Sequence, residues 1–198
     1  STELYSTPIC VPNAPVINTI SPTSGAVDTP VTITGSEFGA TQGTSTVTFS
    51  GISAGTATSW NNTQIVTPVP AGATTGPVIV TVNGVASNAD KIFTVQDFTL
   101  SVDPESQTVT QGSSAPFTVS LGGQNGFSAP VTLTKNSSLP LGVNANFNTN
   151  PVTPTGTSTL SISTSPTTPE GSYTLVVQGF GGEQTHLTSL TLTVVRPT

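Results

Sequence analysis

The chain has 198 residues, three Lys and Arg against nine Asp and Glu, a formal net charge of −6, one Cys, one His, one Trp and no Met. Three cations (Lys91, Lys135, Arg196) cannot build the basic face that nucleic-acid binding requires. One His with one Cys excludes a Cys/His zinc cluster, a disulfide framework within the chain and most nucleophilic machinery.

The 39 Thr, 24 Ser, 19 Gly and 17 Pro favour strands and turns, so an all-β chain is expected. Residues 1–13 lack alternation and contain Pro8 and Pro12; they read as an N-terminal tail or the end of an upstream module. Cys10 follows Pro8 and Ile9, where a lipoprotein cleavage box has small residues, and so reads as a free thiol. Neither a signal peptide nor an initiator Met is visible, which suggests a processed form or a piece of something longer. No run of 18 apolar residues occurs, so no membrane insertion is expected.

From residue 15 a period of two dominates. Val31 and Ile33 alternate with Thr32 and Thr34, Val47 and Phe49 with Thr46 and Thr48, and Val78, Val80 and Val82 share one face. Such runs are half-buried strands, aliphatic inward and hydroxyl outward. Ser24-Gly25, Gly39 to Gly43, Asn61-Asn62, Ala71-Gly72 and Asn83-Gly84 are turn signals, and Thr56 to Trp60 reads as a strand. Pro68 points to an edge position for the strand around Ile65.

A second series begins at Phe98 and continues through Phe117, Val131, Leu160, Tyr173 and Leu190 with their alternating neighbours, broken by Gly122-Gly123 and Asn125-Gly126 as a turn. About seven short strands per half is a β-sandwich pattern. Gly76 to Gly84 is echoed by Gly171 to Gly179, an offset of about one immunoglobulin-like domain. Tyr173 two residues after Gly171 has the placement of a tyrosine corner. The expected organisation is a tail (1–13) and two tandem immunoglobulin-like β-sandwich domains (14–96 and 97–198), joined by a very short linker that allows a limited bend.

Residues 15–95 resemble an IPT/TIG domain. The phrases are Pro15 to Pro22, Ser24-Gly25, Val31-Thr-Ile-Thr-Gly35 running into Phe38-Gly39, Val47-Thr-Phe49, Trp60-Asn-Asn-Thr-Gln-Ile65, Val69-Pro70 and Gly76-Pro-Val-Ile-Val-Thr-Val82. Gly35 and Gly39 allow backbone conformations that a side chain would block, and Phe38 caps the core. Residues 97–195 are similar to bacterial immunoglobulin-like repeats of secreted proteins, through Phe98-Thr-Leu-Ser-Val102, Gln107 to Gly112, Asn125-Gly-Phe127, Gly171-Ser-Tyr-Thr-Leu175 and Leu190-Thr-Leu-Thr-Val194. The resemblances imply an extracellular, usually non-catalytic module, of the kind found in bacterial surface proteins and beside catalytic domains of polysaccharide-degrading enzymes. Neither family carries a fixed catalytic set. Some IPT/TIG domains bind DNA, a use the missing basic surface excludes here.

Gly51-Ile-Ser53-Ala-Gly55 has the spacing of a nucleophile elbow, but no helix follows it and the single His186 lies in the other half; it reads as a turn. His186 reads as a strand-end residue with Glu183 as its nearby carboxylate. Asp97, Asp103 and Glu105 cluster in sequence near the junction without the spacing of a calcium loop, and acids too sparse to face each other across a cleft exclude glycoside hydrolysis. Trp60 reads as a packing residue and Tyr173 as the corner, so neither is assigned to sugar stacking; Tyr5 reads as a tail anchor. Lys91 and Lys135 lack the marker of an internal isopeptide bond. The sequons at Asn61 and Asn136 match what a chain so rich in Ser and Thr produces by chance. No catalytic, cofactor or metal residue is assigned.

The expectation is therefore a non-catalytic structural and interaction module of a secreted or cell-surface bacterial protein, a self-assembling surface subunit or adhesin. Its partners are proteins or further copies, met through strand edges and the tail, with polysaccharide as a further candidate. The alternative is a spacer or weak glycan-binding module of an extracellular polysaccharide-degrading enzyme.

Overall fold

The computed structural model describes residues 13–197; the readings of Tyr5, Cys10 and residues 1–12 lie outside them. Strands follow one another in chain order as the alternation dictates. They are β1 (Val16–Ser21), β2 (Ser24–Gly25), β3 (Pro30–Ser36), β4 (Thr46–Phe49), β5 (Ile52–Ser53), β6 (Ser59–Asn61), β7 (Gln64–Pro68), β8 (Gly76–Val82), β9 (Val85–Ala86) and β10 (Ile92–Val95). The second series is β11 (Asp97–Asp103), β12 (Ser106–Thr110), β13 (Ser114–Gln124), β14 (Thr132–Lys135), β15 (Val143–Phe147), β16 (Thr157–Thr164), β17 (Gly171–Gly181) and β18 (Gln184–Val195).

The first series makes a sheet β1-β3-β7-β6 and a second sheet β2-β10-β8-β4-β5, with β9 beside β8. The second series repeats the plan as β11-β13-β16-β15 and β12-β18-β17-β14. In both, the chain pairs antiparallel in one sheet (β1 with β3, β11 with β13), then parallel in the other (β2 with β10, β12 with β18). Pro22 and Pro104 stand at these two switches; with no N–H to give a ladder, proline lets the strand leave its sheet. This is the strand order of the immunoglobulin sandwich, realised twice. By contact the described residues gather into two compact units: residues up to Thr23 with Pro30–Phe93, and Ser24–Thr29 with the residues from Thr94 on.

Each core is the inward half of the alternation. Val31, Ile33, Phe38, Val47, Ile65, Val69, Val78 and Val80 are fully buried in the first, where Phe49 and Phe93 meet edge to face at 5.4 Å. Phe117, Val119, Val131, Leu160, Ile162, Val177 and Leu192 are fully buried in the second. Gly35 is required for space rather than for φ: a Cβ there would lie 1.9 Å from the Val16 carbonyl oxygen and 2.5 Å from the Phe38 ring. Gly39, by contrast, has φ +83°.

Several local expectations are corrected. β7 is an interior strand, not an edge: Pro68 is its last residue, opposite Pro30, and β6 covers its far side. Proline is tolerated there because the ladder ends at that point. Gly122 and Gly123 lie inside β13, opposite Thr99 and Phe98, where side chains would collide with the Thr99 hydroxyl and the Phe127 carbonyl; the turn is Asn125-Gly126 alone, with φ 52° and 86°. The strand expected over Thr56–Trp60 shrinks to Ser59–Asn61. Inward-facing hydroxyls also occur. Ser158 and Thr164 are buried and donate to the Thr149 and Ser113 carbonyls at 2.7 and 2.9 Å, whereas the buried Thr67 Oγ1 on β7 has no hydrogen-bond partner.

Candidate functional site

The residues that could carry chemistry are tied into the fold, Ser53, Trp60, Tyr173 and Asn61 to backbone groups. Ser53 sits on β5, where its hydroxyl accepts the Gly55 N–H at 3.2 Å. Trp60, half-buried on β6, donates its indole N–H to the Phe38 carbonyl at 2.9 Å. The Tyr173 hydroxyl donates to the Pro169 carbonyl at 2.8 Å, four residues upstream, the back-bond that a tyrosine corner makes. Asn61 accepts the Thr63 and Gln64 N–H groups, each at 2.9 Å, and Asn136 bonds Gln178 at 3.1 Å.

His186 differs from expectation. Its Nε2 lies 2.8 Å from Asp97 Oδ1, not against Glu183, and its ring meets Phe98 edge-on at 4.7 Å. Eighty-nine residues separate the two, and packing of β11 beside β18 brings them together. The same strand separates the expected acidic cluster. Asp97 and Asp103 are the two ends of β11, roughly 20 Å apart at an extended rise per residue. Among the described residues no group of three or more His, Cys, Asp or Glu is placed to hold a metal. Among the same described residues no helix is long and apolar enough to cross a membrane.

Three amides that the sequence reading passed over do the most visible work. In the first unit Asn88, between β9 and β10, accepts the Ile17 N–H at 2.7 Å and donates Nδ2 to the Ile17 carbonyl at 2.9 Å. Its second Nδ2 hydrogen goes to Asp90 Oδ1, and Asp90 Oδ2 pairs with Lys91 Nζ at 2.5 Å. The Lys91 ammonium, and then the Asn88 amide, hold the Asp90 carboxyl below its ordinary range. Gln42 does the same for the β5–β6 connection, accepting from Ala57 N–H and donating to the Gly55 carbonyl, both at 2.9 Å.

In the second unit Asn150, between β15 and β16, accepts the Leu133 N–H at 2.8 Å and donates to the Leu133 carbonyl at 2.7 Å. Beside it Val131 and Val152 exchange both main-chain bonds at 2.8 and 2.9 Å. Lys135 reaches from β14 to the Ala145 carbonyl of β15 at 2.6 Å. Those lysine, alanine and asparagine residues line a shallow groove between β14 and β15 with Phe147 and Asn146. The outer face of the β12-β18-β17-β14 sheet is a field of hydroxyls, with Ser172 and Thr193 3.0 Å apart, in which Phe180 and Leu187 are 45% and 59% exposed.

Residues 15–99 match the family model of the IPT/TIG domain. The IPT/TIG match covers Gly35 on β3, Phe38 in the connection that follows it and Trp60 on β6. No curated protein matches the chain. Among solved structures, domains 4 and 5 of the S-layer protein SbsC are similar at 21% identity, over 66% of this chain and 69% of that one, with a TM-score of 0.36. SbsC domains 1–6 are similar at 18% identity over 85% of this chain and 23% of that one, with a TM-score of 0.38. A chimeric titin Z1Z2 tandem is similar at 13% identity over 91% and 99%, with a TM-score of 0.36.

Proposed function

We propose that this chain is a non-catalytic structural and interaction module of a secreted or cell-surface bacterial protein, built of two tandem domains at residues 14–96 and 97–198. The observation that carries this reading is that Ser53, Trp60, Tyr173, Lys135 and His186, the side chains with most chemical capacity, each bond within the fold. The IPT/TIG match supports it, since IPT/TIG and other immunoglobulin-like domains generally mediate protein–protein contact or self-assembly. The sparse charge supports it as well: hydroxyl-covered sheets allow close packing against other subunits with little charge to desolvate. In the self-assembling form of this reading, residues 1–13 supply part of the contact.

Sedimentation of the whole chain against a chain lacking residues 1–12, with a pull-down on insoluble polysaccharide, tests it. Assembly lost on truncation supports a surface subunit. A monomer that is retained on polysaccharide supports the enzyme-accessory alternative and overturns the proposal.

A further inference from the structure

A strand at the end of a sheet offers unpaired N–H and C=O groups to any extended segment, and another copy of the chain is the partner always present. In an antiparallel ladder only every second residue of the end strand points these groups outward. On β14 and the residue just before it the outward series is Val131, Leu133 and Lys135. Leu133 gives both its groups to Asn150, which places it between the inward-bonded Thr132 and Thr134, opposite Phe180 and Gln178 of β17. Val131 is taken by the Val152 main chain. Lys135, the third, sends its charged side chain across the opening to Ala145. On β1, one of the end strands of the first sandwich, Ile17 gives both groups to Asn88.

We propose that Asn88 and Asn150 are edge caps: each carboxamide occupies the place of a partner strand, on β1 and β14, and blocks strand addition there by a second copy of the chain. A carboxamide suits this because it presents one acceptor and one donor side by side, as a strand's own peptide groups do. The orientation in each case is fixed. Asn88 turns Nδ2 toward the Asp90 carboxylate as well as the Ile17 carbonyl, and Asn150 is held by the Val131–Val152 pair two residues away. The assignment is independent of the proposed function, because a module with closed edges still offers its faces, loops and remaining edges to partners.

The test is association of the whole chain with Asn150→Ala or Asn88→Ala, followed by sedimentation across a hundredfold concentration range with amide hydrogen exchange at each end. Removing a cap is expected to tighten self-association at least tenfold. In Asn150→Ala the Leu133 amide should exchange fast when dilute and slowly when concentrated, as the second copy pairs there; plain destabilisation does not produce that reversal. Folded variants that associate no more than the unaltered chain overturn the proposal. Should a variant not fold, exchange in the unaltered chain still decides: a Leu133 or Ile17 amide as fast as an exposed loop amide also overturns it.

Discussion

The two sandwiches close an open edge with the same chemical group and secure it differently. In the first, Asn88 is held by a charged chain, Lys91 to Asp90 to Asn88 to Ile17, within one short connection. In the second, Asn150 bonds the Leu133 main chain, and the chain itself delivers it, because Val152 is paired to Val131 and Pro151 follows the asparagine directly. The difference teaches that strand-like pairing needs only a fixed amide, and that either electrostatics or a neighbouring main-chain bridge can fix it. It also predicts that only the first cap responds to acid.

The largest effect should come from Gly35→Ala. Gly35 is the register partner of Ile17, and the new methyl would strike the Val16 carbonyl, lifting β1 from β3 and from Asn88 together. A loss of about 3 kcal/mol is expected, read as an earlier unfolding transition of Trp60 fluorescence while a second-sandwich transition stays in place. Next, Asn150→Ala should cost about 2 kcal/mol by urea denaturation, since two half-buried peptide groups lose their partners at once. Asn88→Ala should match it within a factor of two, which sharpens the comparison; a large imbalance would break it.

Thr67→Val should stabilise the first sandwich by about 1 kcal/mol, because it removes a buried hydroxyl that has no partner and keeps the shape. The smallest effect is that of pH. The Asp90 carboxyl is held below its ordinary value of 3.8 in the folded chain, so its contribution is complete above that pH and fades as acid passes the lowered value. Thermal scans from pH 5 to pH 2 should show an added acid loss in the first sandwich that Asp90→Asn removes; the Asn150 cap should show none.

Much of this architecture can be read from side-chain alternation. Val78 and Val80 on β8, Leu190 and Leu192 on β18, and the Asn83-Gly84 turn, with φ 50° and 80°, stand where local pattern puts them. Tyr173 was legible too, because its partner is four residues away. What alternation could not reveal depends on distant pairing. Asn88 meets Ile17 across 71 positions and Asp97 meets His186 across 89, and an asparagine beside a strand looks the same whether it serves a turn or an edge. The interior place of β7 was hidden for a related reason: Pro68 signals an edge only when it lies mid-ladder, and its position at the ladder's end depends on where β3 begins.

Amide hydrogen exchange on the unaltered chain, read at Ile17 and Leu133, addresses the account at its root. Protection comparable to that of paired residues such as Ile33 or Val177, unchanged on dilution, is the predicted result. Rapid exchange at both positions would contradict it, leaving the two end strands open.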